Sequence, residues 1–363
     1  MEVVVQSPGL PQIPVAPRRG SWTRGGEPGD VNLADPRTLY DFVRWGLERS
    51  SSPRHLLILS GHGAGIVGAL TDFAHGAACI MGVSGLARAL ALAQLHAGRA
   101  VDVLMMDACY MNAVEVAHEL ATSGPPAARH LIVPLEMSPL EGWPYGEVLD
   151  RLGQGGEEAA RNPVAVLLQA IAGACEFPAL AVYLTPRRFA RIKQAAHELA
   201  CCLLGLSSAP GTPEAVPVAG GGARVARGEG LGAAGELWSL LRGGWPHHPC
   251  AGALQRLRDA VARVVITGRE PEPPDRHRYL TVFLPVSPAE YRKWSSYYET
   301  LSFSRDNAWV ELLGGAAETA GVRPADGPAD TARIYAGIRP APDVPLPGPL
   351  LMPRHLLVQA AEL

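Results

Sequence analysis

The chain of 363 residues is 47% hydrophobic and only 18% charged, enough apolar material for one large core or two modest ones. A formal net charge of −3, with no Lys/Arg cluster longer than a pair, leaves no electrostatic footprint for nucleic acid or for an anionic membrane surface. The longest apolar stretch, Val164 to Cys175, falls far short of the roughly 18 residues of a membrane span, and the 40 Gly and 33 Pro assign much of the remainder to turns and loops.

Residues 1–20 open on an apolar, strand-like run and continue as Pro-rich chain, without the charged start, apolar block and small-residue cleavage site of a signal peptide. The six cysteines (Cys79, Cys109, Cys175, Cys201, Cys202 and Cys250) are dispersed without paired spacing, which fits reduced thiols rather than a disulfide framework. Both features predict a cytoplasmic protein.

Short apolar runs bounded by turn residues predict buried strands at Val3–Gln6, His55–Ser60, Val101–Met106, His130–Leu135 and Ala179–Leu184. Helices are predicted between them. Leu39–Leu47 follows Asp35-Pro36, a good helix start, and Ser84–Leu95 places Leu86, Leu90 and Ala93 at helical spacing. Asn112–Leu120 carries Val114, Ala117 and Leu120 on one face, which predicts a helix directly after Cys109. A long helix runs to Leu204 from the strand end at Leu184; the Gly-, Pro- and Ala-rich stretch Ser207–Gly235 reads as an insertion. A helix near Ala251–Val264 and a strand at Tyr279–Leu284 follow, and Gly321–Pro353 reads as an extended Pro-rich tail. The alternation predicts an α/β fold, a largely parallel sheet flanked by helices on both faces. The expected organisation is a domain over 1–315 carrying that insertion, with a C-terminal extension over 316–363.

Two predicted strands end in reactive residues, LLILS before Gly61-His62-Gly63 and VLMM before Asp107-Ala108-Cys109. Ligands of parallel sheets sit beyond the carboxyl ends of strands, so the two side chains converge on one crevice. A thiol that attacks a carbonyl needs a partner to take its proton and later to protonate the leaving amine, and His62 suits that role toward Cys109. Gly63 lets its backbone N–H approach a substrate oxygen unobstructed, and a Cys109 N–H at a helix start would complete an oxyanion hole. Asp107 lies two residues before Cys109 and shares its side of the sheet. It is either a pocket acid that receives a basic side chain or a structural acid bonded to neighbouring backbone.

These residues resemble the clostripain family of caspase-like cysteine peptidases through NLADPRTLYDFVRWGL, HLLILSGHGAG, VDVLMMDACYMNAVEVAHEL, LEMSPLEGWPYGEVL and YLTVFLP with YYETLSFSRDNAWVELL. The resemblance implies a caspase-like fold, His62 and Cys109 as the catalytic dyad, and Gly63 as the oxyanion-hole glycine. It also implies Asp107 and Glu136 as acids of the pocket for the residue before the cut, hence cleavage after Arg or Lys. Three departures stand out. The apolar strand and helix that open family members are missing before Val3–Gln6, a central place in such sheets that His355–Gln359 is expected to fill. Gly61 replaces the usual acid before the histidine. No Lys or Arg lies between Gly63 and Ala87, where family members carry an activating cleavage, so the chain is expected to act intact, with any self-cleavage after Arg224 or Arg227.

Other signals carry less. Gly63-Ala64-Gly65-Ile66-Val67-Gly68 satisfies G-x-G-x-x-G, but no convincing helix follows to hold a pyrophosphate. His247-His248-Pro249-Cys250 lacks the paired spacing of a zinc site, Cys201 and Cys202 read as core residues, and Trp294, Tyr297, Tyr298 and Phe303 read as packing. No cofactor is predicted; calcium enters through the resemblance only, because no loop dense in oxygen ligands is present. The expected partner is a peptide or protein substrate, with neither nucleic acid nor membrane. The alternative is an inactive caspase-like scaffold that retains the dyad.

Overall fold

The apolar runs alternate at a period of two, and in the computed structural model that alternation splits the core between the two faces of one sheet. The described residues are 2–6, 32–73, 78–135, 137–139, 142–174, 179–207, 234–236, 249–266, 280–285, 288–314 and 346–352. In chain order the elements are β1 (Glu2–Gln6), α1 (Pro36–Arg49), β2 (His55–Ser60), β3 (Gly68–Asp72), β4 (Cys79–Gly82), α2 (Val83–Ala97), β5 (Val103–Asp107) and α3 (Val114–Thr122). Then come β6 (His130–Pro134), α4 (Tyr145–Gln154), α5 (Gly156–Arg161), α6 (Pro163–Ala174), β7 (Ala179–Tyr183) and α7 (Pro186–Ser207). The chain continues through β8 (Ala234–Glu236), α8 (Ala251–Ala262), β9 (Val265–Ile266), β10 (Thr281–Phe283), α9 (Pro288–Tyr298), α10 (Trp309–Gly314) and β11 (Leu350–Leu351).

The main sheet has the order β1-β2-β5-β6-β7-β9. Its first four strands are parallel, while β7 and β9 pair antiparallel. Leu57, Leu59, Leu104, Met106, Leu131 and Val133 point to one face and meet α1, α2, α3, α7 and α8. Leu56, Ile58, Val103, Met105 and Ile132 point to the other and meet Val148 and Leu152 of α4 and Val164, Leu167 and Ile171 of α6. Each such buried aliphatic side chain contributes about 1.5–3 kcal/mol by leaving water, so both faces need their helices. α1 starts where Asp35 accepts a hydrogen bond from the Arg37 N–H at 2.8 Å, with Pro36 in the first turn, and it buries Leu39, Val43 and Leu47.

Several expectations change. Cys202 and Cys250 form a disulfide, so the reading of dispersed reduced thiols is wrong for this pair. Helix α7 brings Cys202 beside the first turn of α8, a proximity that spacing along the chain does not reveal. The predicted tail is not wholly extended away. β11 pairs with β4, Leu346, Leu350 and Met352 pack on the larger core, and the Met352 N–H donates to the Ala78 carbonyl at 2.9 Å. β1 pairs directly with β2, Val3 opposite Leu56, so among the described strands no position stands open between them. The segment expected to fill such a position, 355–359, lies outside the described residues, as do Arg224, Arg227, most of the predicted insertion and most of the extension.

A candidate active site at the ends of β2 and β5

The register of the two central strands sets the site. β2 and β5 are parallel with Ser60 opposite Asp107, and the Gly61 N–H continues the ladder to the Asp107 carbonyl at 3.1 Å. His62 and Cys109 each stand two residues beyond that last pair, at the carboxyl edge of the sheet.

Gly63 is pressed onto the backbone of Cys109. A Cβ there would lie 2.3 Å from the Cys109 carbonyl oxygen and 2.9 Å from its nitrogen, so only glycine fits. The loop is braced from behind: Gly63 bridges to Ala69, and the Leu70 N–H donates to the His62 carbonyl at 2.9 Å. β3 and β4 form the hairpin that supplies this brace, at positions where the sequence offered no strand signal. The His62 ring is exposed and meets the ring of Phe73 edge-on at 6.5 Å, with Phe73 itself 52% exposed.

Cys109 is half-buried and lies in a turn. The expectation of a helix directly after it is corrected: α3 begins at Val114 behind Ala113, so residues 110–113 separate the thiol from the helix, and the Cys109 N–H is not at a helix start. The turn is tight because Tyr110 adopts a positive φ of 61°, a conformation that costs a non-glycine residue about 1–3 kcal/mol. Burial pushes the Cys109 thiol up and the nearby charge of Asp107 adds to the rise, while the N–H groups of Ser138 and of Cys109 itself work against it. The sulfur accepts the Ser138 N–H at 3.4 Å. A resting thiol in such surroundings needs a base to become a nucleophile.

Asp107 is bonded on every side by neighbouring hydroxyl and backbone donors. It is 3% exposed and accepts hydrogen bonds from the Trp143 N–H at 2.9 Å, from the Ser138 and Tyr145 hydroxyls, and from the Ser60 hydroxyl at 3.5 Å. Burial raises its carboxyl against those donors, chief among them Tyr145. Gly142 completes the wrap with φ +73°; a Cβ there would stand 2.8 Å from Oδ2 of Asp107. Ser138, Trp143 and Tyr145 were missed as site residues, although all three lie in the segment that also holds Glu136; alternation ties Asp107 to its own strand and says nothing of a loop 31–38 positions onward. Glu136 itself lies outside the described residues. Among the described residues no group of three or more His, Cys, Asp or Glu could hold a metal ion, and no helix is long and apolar enough to cross a membrane.

Residues 23–183 match the model of the clostripain family. Two solved structures share the fold at low identity. One, described as an inactive zymogen C11 protease from Parabacteroides distasonis, has a TM-score of 0.51 and 16% identity over 76% of each chain. The other, a secreted C11 cysteine protease from Bacteroides thetaiotaomicron in complex with an irreversible peptide inhibitor, has a TM-score of 0.50 and 15% identity over 76% of this chain and 79% of its own. No curated protein matches the sequence.

Proposed function

We propose that this chain, whose residues 23–183 match the model of the clostripain family of cysteine peptidases, is an endopeptidase in which Cys109 is the nucleophile and His62 its acid/base partner. The observation that carries the reading is the pairing of Ser60 with Asp107, which sets both side chains on one edge with Gly63 packed against the Cys109 backbone. His62 takes the Sγ proton as sulfur attacks the scissile carbonyl carbon, and returns it to the amine as the C–N bond breaks. Water then attacks the thioester, giving its proton to His62, and the carboxylic acid leaves as the thiol reforms. The N–H groups of Gly63 and Cys109 are proposed to hold the oxyanion.

Preference for Arg or Lys before the cut is the finer part of the proposal. It rests on the family resemblance and on a carboxylate two residues from the nucleophile. In the ligand-free arrangement that carboxylate is bonded to Tyr145 and Ser138, so a guanidinium would exchange with those hydroxyl donors. The same coverage of Asp107 favours the second reading, an inactive scaffold whose pocket does not open. Turnover of short peptides ending in Arg or Lys, compared with peptides ending in Asp, separates the two. Hydrolysis confined to the basic set supports the peptidase. Absence of all hydrolysis supports the scaffold.

A further inference from the structure

We propose that Ser138 is a positioning residue for the nucleophile: its hydroxyl is anchored on Asp107 and its backbone N–H, held by that anchor, is aimed at Sγ of Cys109. The inference rests on the reading of Cys109 as the reactive thiol and names a residue that neither the motifs nor the family resemblance assigns.

The argument starts from what fixes residue 138. It sits between β6 and α4, in a stretch where the described residues form neither helix nor strand, so no ladder sets the direction of its N–H. Two contacts do. The hydroxyl donates to Oδ1 of Asp107 and the N–H reaches Sγ at 3.4 Å. The carboxylate that receives the hydroxyl is itself immobile, because its other oxygen accepts the Trp143 N–H at 2.9 Å and the Tyr145 hydroxyl, and Gly142 closes over it. One buried carboxylate thus holds the segment at both ends, and the end at Ser138 faces the sulfur.

The chemistry explains why such a contact matters. Burial and the charge of Asp107 both disfavour the thiolate, and the Ser138 N–H is the larger of the two backbone donors that favour it. Asp107 therefore acts on Cys109 in two opposed ways, through space by its charge and through Ser138 by delivering a donor. Among the described residues, Asp107 at the end of β5 is the titratable group whose charge reaches the thiol, Tyr145 of α4 is bonded to it, and His62 stands at the matching position beyond β2.

The test reads the thiol directly. Alkylation of Cys109 by iodoacetamide is followed against pH by peptide-resolved mass spectrometry, which separates it from the exposed Cys201. Ser138 is a half-buried loop residue, so its truncation leaves both cores intact, and circular dichroism verifies that. Ser138→Ala should raise the alkylation midpoint by about one pH unit, the size expected when a thiolate loses one well-held donor. Ser138→Thr, which keeps the hydroxyl, should restore it. The proposal is overturned by an unchanged midpoint in Ser138→Ala, or by Ser138→Thr behaving like the alanine variant. Turnover of an Arg-ending peptide is measured on the same samples. A wild type that alkylates but hydrolyses nothing sinks the peptidase reading, while the alkylation profiles still decide the role of Ser138.

Discussion

Glu115 offers a sharp energetic test, because it is a wholly buried carboxyl in the first turn of α3, the helix that follows the turn of Cys109. Its Oε1 accepts the Phe283 N–H at 3.0 Å and the Tyr298 hydroxyl at 3.3 Å, tying α3 to β10 and α9, while Oε2 is buried without a hydrogen-bond partner among the described residues. Burial raises the carboxyl from 4.5 to about 7. Between those values the folded state keeps a proton that the unfolded chain has released, so stability falls as pH rises through that window and is highest below it. At about 1.4 kcal/mol per pH unit, the loss is about 3–4 kcal/mol. His118, one turn along the same helix, works in the opposite sense: burial lowers it from 6.5 to about 3, so stability rises with pH across that span. The two slopes nearly cancel between pH 4.5 and 6.5. Glu115→Gln preserves the acceptor for Phe283 and Tyr298 but removes the titration, at a pH-independent cost of about 1–3 kcal/mol for its unpartnered amide N–H. Urea unfolding from pH 4 to 8 should then show the variant gaining about 3–4 kcal/mol on the wild type across the window, and a rising limb from His118 should emerge. A wild-type-to-variant difference that is the same at both ends of the pH range would refute the reasoning.

Three further outcomes follow from the geometry. His62→Ala should lower peptide turnover by roughly 100- to 10,000-fold, as expected when a thiol loses its base and the amine its acid; a loss below about tenfold in steady-state kinetics would point to another base. Gly63→Ala forces a Cβ to within 2.3 Å of the Cys109 carbonyl, so kcat/KM should fall by about 100-fold with the far-ultraviolet spectrum unchanged, and retained activity would show that the approach of the two loops is not needed. Breaking the Cys202–Cys250 bridge, which spans 48 residues, should lower unfolding free energy by up to about 4 kcal/mol; an unchanged denaturation midpoint with reductant or in Cys202→Ser would contradict the bridge.

The parts of the fold that were legible in the sequence are those whose signal is local. His55–Ser60 and His130–Leu135 are continuous apolar runs and became strands within a residue of the expected bounds, and Asp35-Pro36 marked the start of α1 through a cap that the structure contains. Trp294, Tyr297, Tyr298 and Phe303 were read as packing; Tyr297 is half-buried against the larger core and the other three are fully buried. What was not legible depends on partners far along the chain. The short β3 and β4 hairpin reads as glycine-interrupted apolar sequence, and it is buried on both strands. α6 is apolar nearly all round, so it offers no helical period. The approach of Cys202 to Cys250, the return of Leu350 to β4, and the wrapping of Asp107 by Ser138 and Tyr145 are tertiary contacts without a spacing rule. His62 and Cys109 were visible as a candidate pair because parallel strands place their carboxyl ends together, whereas Ser138 and Tyr145, bonded to Asp107, were not.

The claim at the centre of this reading is that Cys109 performs the chemistry. Hydrolysis of a fluorogenic peptide ending in Arg, measured for wild type beside Cys109→Ala of verified fold, tests it most directly. On this reading the half-buried thiol at a turn contributes chemistry rather than packing, so the variant should remain folded and lose all turnover. Turnover by Cys109→Ala near the wild-type rate would contradict the assignment.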